Sequence, residues 1–195
     1  PDDIGQAYIY LISPVGDIKG KLRYTLSLLS LIMGGGSSSR LFQNLRENSG
    51  LAYYVSTGTE HFVDGSILIS NADVNGSSCQ QTIELIIKEM NEFAEGRISD
   101  QELTRAKNTI SGKLALSSEG TSEMLHRLTS NEIIISEFVT LEESIERFHE
   151  ITKDDIAELA QRIFNPERMM IFVYGNIPDD LKVEGFEEVW HRKIK

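Results

Sequence analysis

The stretch from Gly34 to Tyr54, GGGSSSRLFQNLRENSGLAYY, guides the interpretation of the whole chain. Three consecutive glycines end one helical pattern, and the helix that follows them carries Arg46. Gly50 suits the left-handed conformation that closes many helices, and it leads into a strand that contains Tyr53. The end of the helix and the start of the strand adjoin through this turn. A guanidinium and a phenol are therefore expected close together on one turn of the chain.

Hydropathy predicts the elements on the N-terminal side of this stretch. In residues 6–12, the aliphatic residues Ala7, Ile9 and Leu11 alternate with Tyr8, Tyr10 and Ile12. This pattern predicts a strand with both faces partly covered. Apolar residues recur at helical spacing from Ile18 to Met33, which predicts a helix that the glycines stop. Ser37 or Ser38 is expected to cap the next helix, because a serine hydroxyl accepts a hydrogen bond from a free amide of the first turn.

The C-terminal side contains strands, then helices, then one more strand. Two strands, 52–61 and 65–74, are predicted from their β-branched and aromatic residues. Helical patterns follow, and several begin with the spacing of a capping box. The residues that open these boxes are Ser99, Thr140 and Thr152. The continuous apolar run 169–174 predicts a buried central strand.

This order of elements predicts the fold class. A strand, two helices, two strands, a run of helices and a final strand do not alternate strictly, which is typical of an α+β protein. We expect a two-layer sandwich, with helices packed on one face of a mostly antiparallel sheet. Residues 1–195 are interpreted as a single domain, with 178–195 as a tail prone to fraying.

Composition excludes several classes of function. The formal net charge of -11 disfavours nucleic-acid binding, which needs clustered Lys and Arg. No apolar run approaches the length of a membrane span, and no signal peptide is visible, so we expect a cytoplasmic protein with no membrane partner. Cys79 is the only cysteine, which excludes an intrachain disulfide. The start at Pro1, without an initiator Met, suggests a segment of a longer polypeptide.

Motif spacing predicts no metal site in this chain. The four histidines are dispersed, and the closest pair, His126 and His149, is 23 positions apart. A helical zinc motif needs two histidines within one turn. The glycines at 34–36 lack the lysine and spacing of a phosphate-binding loop, and the serines at 37–39 do not form G-x-S-x-G. We interpret Gly34, Gly35 and Gly36 as a tight crossing between two helices. The same glycines are also interpreted as a flexible strip beside a substrate channel.

Arg46 and Tyr53 have two interpretations when spacing alone is considered. In the structural one, Arg46 complements the helix dipole in the last turn, and Tyr53 is an ordinary strand aromatic. In the functional one, the guanidinium fork and the phenol O–H hold peptide carbonyls and stabilise an oxyanion. Spacing alone favours the structural interpretation.

A resemblance favours the functional interpretation. The segment GGGSSSRLFQNLRENSGLAYYV, and above all Arg46 followed by Tyr53 across RENSGLAY, resembles the C-terminal-half signature of the pitrilysin/insulinase family of zinc peptidases. Further similarity continues through ISDQELTRAKNTI, EGTSEMLHRLTSNEI and VTLEESIERFHEITKDDIAELAQRIF, up to about Gly175. Insulin-degrading enzyme and mitochondrial processing peptidase belong to this family.

The resemblance implies an enzyme of two homologous α+β halves that close around a peptide and have different roles. The N-terminal half of such enzymes holds zinc with H-x-x-E-H, a motif that this chain lacks. The C-terminal half contributes an Arg and a Tyr that contact substrate, which match Arg46 and Tyr53, and Gly34–Gly36 would lie beside the substrate. The implied partners are a peptide and a zinc-bearing half, on the same longer chain or on another subunit. The chain by itself is expected to be inactive.

Two other functions stay open at this point. Some family members are structural or processing subunits without catalysis, so the chain is alternatively a scaffold that only binds. A self-contained hydrolase is the third option, and it predicts peptide cleavage that survives a chelator.

Overall fold

The computed structural model describes residues 5–62, 64–117, 120–135, 138–179, 181–183 and 190–193. The strands are β1 (Gln6–Gly16), β2 (Ala52–Phe62), β3 (Gly65–Asn75), β4 (Met170–Gly175) and β5 (Trp190–Lys193). The helices are α1 (Lys21–Gly34), a π-helix (Phe42–Asn48), α2 (Cys79–Ala94), α3 (Asp100–Ser117), α4 (Thr121–Ile135), α5 (Leu141–Glu150) and α6 (Lys153–Ile163). The order agrees with the predicted sequence of elements as far as β4, whereas β5 was not predicted. The predicted α+β class is confirmed.

The sheet has the strand order β2-β3-β1-β4-β5. The pairs β2/β3, β3/β1 and β1/β4 are antiparallel, and only β4/β5 is parallel. The tail beyond 178 thus contributes β5, in register with β4 from Phe172 to Gly175. The first long strand, β1, lies in the centre, while β2 forms the edge that joins directly to the π-helix.

Helices cover one face of this sheet. Inward residues alternate along each strand, and Ile9, Leu68 and Val173 are almost completely buried beneath the helices. Helices α1, α2 and α6 pack over them and against one another. This single apolar layer between sheet and helices is the core, as two-layer packing requires.

The other face of the sheet is open to solvent, which corrects the prediction for the last long strand. The continuous apolar run 169–174 predicts a buried central strand. In β4, however, Ile171 and Val173 are buried, whereas Met170 is 49% and Phe172 is 39% exposed. The reason is that no described helix covers the outer face, so every second apolar side chain of the run lies outward.

The predicted helix starts at the capping boxes are confirmed. Thr140 and Glu143 exchange both bonds of the box, and Thr152 and Asp155 do the same with the shorter Asp side chain. The Ser99 hydroxyl accepts from the Glu102 amide, and the Glu102 carboxylate accepts from the Ser99 amide. These bonds satisfy amides that would otherwise lack partners at the helix N-termini.

Across the described ranges, no helix combines the length and the hydropathy that a bilayer crossing demands.

Candidate functional site

The glycines after α1 differ in their surroundings. A Cβ on Gly34 would lie 2.3 Å from Thr57 Oγ1 and 2.4 Å from the Thr57 amide nitrogen. The Ser30 hydroxyl, one turn earlier, donates to the Thr57 carbonyl at 3.2 Å. Gly34 therefore lets α1 lie directly on β2, which is a crossing of helix on strand and not the predicted crossing of two helices. Gly36 is exposed, and a Cβ there would meet nothing within 4 Å.

The serine run holds the loop by a different bond from the one predicted. The π-helix has no side-chain cap, so the expected capping by Ser37 or Ser38 is wrong. Instead, the Ser39 hydroxyl donates back to the Gly36 carbonyl at 2.5 Å, and Gln43 Nε2 donates to the Ser37 carbonyl at 2.7 Å. We call residues 34–39 the glycine–serine strip. Both bonds hold this strip against the helix that carries Arg46.

Arg40 anchors the start of this helical segment to α2 and α3. Its Nε donates to Glu102 Oε1 at 2.5 Å, and its guanidinium carbon lies 4.6 Å from the centre of the Phe93 ring. Its Nη1 is 3.6 Å from Glu89 Oε2. Glu89 is buried and also accepts from Asn44 Nδ2 at 2.7 Å. Two positions of the segment, Arg40 and Asn44, are thus tied to carboxylates of neighbouring helices.

The charge of Glu102 is set by this anchor. Burial alone would raise the pKa of Glu102, but hydrogen bonds from Arg40 and Ser99 outweigh it and lower the pKa to about 2. The carboxylate is therefore ionised at neutral pH and holds Arg40 in place. Arg40, Glu89 and Glu102 were not predicted as part of the site. Their signal in the sequence is weak, because the partners are distant from one another along the chain.

Arg46 lies in the last turn of the π-helix and is exposed. Its guanidinium carbon is 5.1 Å from the centre of the Phe42 ring, which supports the side chain by a cation–π contact. Among the described residues, no carboxylate forms an ion pair with it. Its guanidinium N–H groups are accordingly available to a ligand. The π-helical turn is itself unusual, since such turns are rare and concentrate at functional sites.

A β-bulge turns Tyr53 outward. Ala52 pairs with Val74 and Tyr54 pairs with Asp73, so Tyr53 is the extra residue with no partner on β3. Tyr53 is 78% exposed, compared with 46% for Tyr54. Bulges re-aim side chains in this way at the ends of strands and beside active sites. The phenol of Tyr53 consequently lies clear of the sheet.

The turn between Arg46 and Tyr53 is closed by its backbone. Gly50 adopts the predicted left-handed conformation, with φ of 61°. The Leu51 amide donates to the Leu45 carbonyl at 2.8 Å, and both leucines pack in or against the core. Arg46 directly follows Leu45 and Tyr53 lies two residues after Leu51, so the two exposed side chains lie on either side of this hydrogen-bonded turn.

No metal centre is found in the part of the chain that the structure describes: no group of three or more His, Cys, Asp or Glu side chains is arranged to hold an ion. His61 instead contacts the Ser66 hydroxyl through Nδ1 at 3.0 Å and the Thr59 hydroxyl through Nε2 at 3.3 Å. Burial lowers the pKa of His61, although nearby Glu60 opposes the shift.

The outer face of the sheet extends from the turn at Gly50. Register places Tyr54, Asp73, Tyr8 and Tyr174 in one row across four strands. The rings of Tyr8 and Tyr174 are 6.4 Å apart, and desolvation raises the pKa of Asp73. The sequence interpretation missed this row because it assumed that β1 and β4 were covered on both sides.

The chain is similar in sequence to bacterial zinc proteases. A Streptomyces coelicolor relative, named an uncharacterized zinc protease, is 29% identical over 174 residues, which cover 89% of this chain and 38% of the relative. The uncharacterized zinc protease YmxG of Bacillus subtilis is 30% identical over 157 residues, which cover 80% of this chain and 38% of the relative. The chain therefore spans well under half the length of these relatives.

The fold is similar to that of a crystallised protease from Helicobacter pylori. The two superpose with a TM-score of 0.80 at 20% identity, over 89% of this chain and 42% of the other. The family model described as the peptidase M16 inactive domain matches residues 1–110, which include the glycine–serine strip, Arg46 and Tyr53. Because that match covers more than half of its residues, the chain belongs to the peptidase M16 inactive-domain family.

Proposed function

We propose that this chain is the substrate-binding, non-zinc domain of a zinc-dependent endopeptidase. The observation that carries the proposal is the turn at Gly50, where Arg46 and the bulged Tyr53 are both exposed. Family membership supports it, because curated relatives of more than twice this length are named zinc proteases.

Each of the two side chains has a role that fits its chemistry. Arg46 would bind a carbonyl of an extended peptide through its fork of N–H groups and so fix the peptide's register. Tyr53 would donate its O–H to the substrate near the developing oxyanion. The anchor formed by Arg40 with Glu89 and Glu102 would hold the turn in place, so that little ordering is needed when the peptide binds.

Among the described residues, no group of side chains is suited to hold zinc. The metal is expected on a homologous half, either in the same longer chain or in a partner subunit. The chain itself would contribute binding and orientation, and closure of the two halves would exclude water from the peptide.

Exposed apolar side chains support a partner domain. Leu125 is 66% and Ile133 is 71% exposed on α4, and Phe138, which follows that helix, is 72% exposed. Contiguous exposed apolar surface commonly marks a contact surface, whereas single exposed apolar side chains do not. The α4 region is therefore a reasonable position for contact with the rest of the longer protein.

A peptide-hydrolysis assay of the longer protein tests this function. We expect it to cleave unstructured peptides, to lose this activity in chelator and to regain it with zinc. The 195-residue chain alone is expected to cleave nothing. Peptide binding by the longer protein without any hydrolysis would contradict the proposal and support the scaffold alternative. Cleavage by the 195-residue chain in chelator would instead support a self-contained hydrolase.

A further inference from the structure

A cavity of about 230 Å³ lies between the glycine–serine strip and α3. One wall is formed by Gly35, Gly36, Ser37 and Ser38. The other wall is one face of α3, where residues three or four positions apart lie side by side. The polar residues of this face are Glu102, Arg105, Thr109 and Lys113. The cavity is partly enclosed and reaches Leu31 and Ile32 at its base.

The balance of charge in this cavity is positive. Among the described residues that line it, Glu102 is the single acidic group, and it is already bound by Arg40 through Nε at 2.5 Å and Nη2 at 3.0 Å. Arg105 makes one long contact, from Nη1 to the Ser38 carbonyl at 3.4 Å. Within the described ranges, neither Arg105 nor Lys113 forms an ion pair. Two cations thus line one small cavity with no anion assigned to them.

The positive character of this cavity does not follow from the overall charge of the protein. The formal net charge is -11, so a pair of cations without acidic partners is not a consequence of a basic surface. The hydroxyl groups of Ser37 and Ser38 line the same cavity and are able to donate hydrogen bonds to an anion, whereas Thr109 Oγ1 already donates to the Arg105 carbonyl at 2.8 Å. A carboxylate satisfies both requirements, because it carries one negative charge and accepts several hydrogen bonds.

We propose that this cavity is a subsite that binds a carboxylate of the peptide, with Arg105 and Lys113 supplying the charge. The inference rests on the proposed function, since the strip that lines the cavity is tied to the helix carrying Arg46 by the bond from Gln43 to Ser37. The carboxylate is either an Asp or Glu side chain or the C-terminus of the peptide, and both present the same chemistry.

Binding of labelled peptides to the longer protein in chelator tests this subsite independently of hydrolysis. One series replaces Glu by Gln at each position in turn, and a second compares a free C-terminus with an amide. We expect one of these changes to weaken binding roughly 10-fold, the effect of losing a hydrogen bond to a charged group. The series in which the loss occurs identifies the source of the carboxylate.

Variants then assign the effect to the cavity. Arg105→Gln and Lys113→Gln are both expected to remove the preference for the acidic peptide, while binding of the neutral peptide stays within about twofold. Lys88→Gln, an exposed lysine on α2, is the matched control and should keep the full preference. Thermal unfolding of each variant verifies the fold, and since both cations are exposed, we expect no large loss of stability.

The outcomes separate this inference from the proposed function. No preference for either carboxylate in the unsubstituted protein, or a preference that both variants retain, overturns the subsite and leaves the peptidase role intact. A preference that the variants remove, in a protein that binds peptides but never cleaves them, supports the subsite and overturns the peptidase role.

Discussion

Gly34 and Gly36 stand two positions apart, and their different surroundings show how one residue type serves different purposes within a single motif. Gly34 is buried against Thr57, where the absence of a Cβ allows helix and strand to touch. Gly36 is exposed beside the cavity and contacts nothing that a methyl group would displace. The sequence predicts that the glycines interrupt a helix, but only the tertiary contact distinguishes the two.

Substitution of these glycines by alanine separates the two roles. Gly34→Ala places a methyl group within 2.6 Å of three atoms of Thr57, so we expect the free energy of unfolding to fall by about 1–3 kcal/mol. Gly36→Ala has open space around it and should change stability by less than about 0.5 kcal/mol. Urea unfolding measures both. Equal effects of the two substitutions would contradict the close approach of α1 to β2.

The π-helix, Phe42–Asn48, shows at the scale of one element what the sequence could and could not predict. Its existence, its end at Gly50 and the strand after it were predicted, because glycine propensity and hydropathy are local properties. Its π-helical geometry and the bulge at Tyr53 were not. The helical segment is held by bonds to distant elements, from Arg40 to Glu102 and from Asn44 to Glu89, and the bulge is defined by the pairing of β2 with β3.

The anchor of this element predicts a pH-dependent stability. The pKa of Glu102 is about 2 in the folded state, compared with 4.5 for the unperturbed side chain. A lowered pKa contributes stability that is present above the unperturbed value and is lost as the pH falls toward the folded value. We therefore expect Glu102→Gln to destabilise the protein at pH 7 and to have progressively less effect between about pH 4.5 and pH 2.

Urea unfolding at several pH values measures this change. Glu158→Gln, an exposed carboxylate on α6 with no ion pair among the described residues, serves as the control for general effects of removing a charge. A destabilisation by Glu102→Gln that is the same at every pH would show that its charge does not hold Arg40.

The left-handed cap at Gly50 provides a second test of this element. Gly50→Ala forces a Cβ into a conformation with φ of 61°, which costs about 1–2 kcal/mol. Gly50→Asn should cost less, because Asn tolerates this region better than other residues. Thermal unfolding ranks the two variants. The reverse order, or no loss in either, would contradict the geometry of the turn that carries Arg46 and Tyr53.

At the scale of the whole molecule, the α+β class and the single helical layer were predictable, because the order of elements and their periodicity are written along the chain. The open outer face was not predictable from the run 169–174. Every residue of that run except the last is strongly apolar, and only the packing of the helices reveals which half is buried. The proposed substrate role of Arg46 and Tyr53 likewise rests on a resemblance and not on spacing.

The proposed contact of the bulged tyrosine with substrate depends on a single hydroxyl, which Tyr53→Phe removes. In the longer protein, loss of this one hydroxyl should lower kcat by about 100- to 1000-fold, as for removal of an oxyanion donor, with the fold unchanged. Tyr54→Phe removes the same hydroxyl from the next residue, which is paired with Asp73, and should keep activity within about twofold. Full activity of Tyr53→Phe, or an equal loss in both variants, would contradict the account.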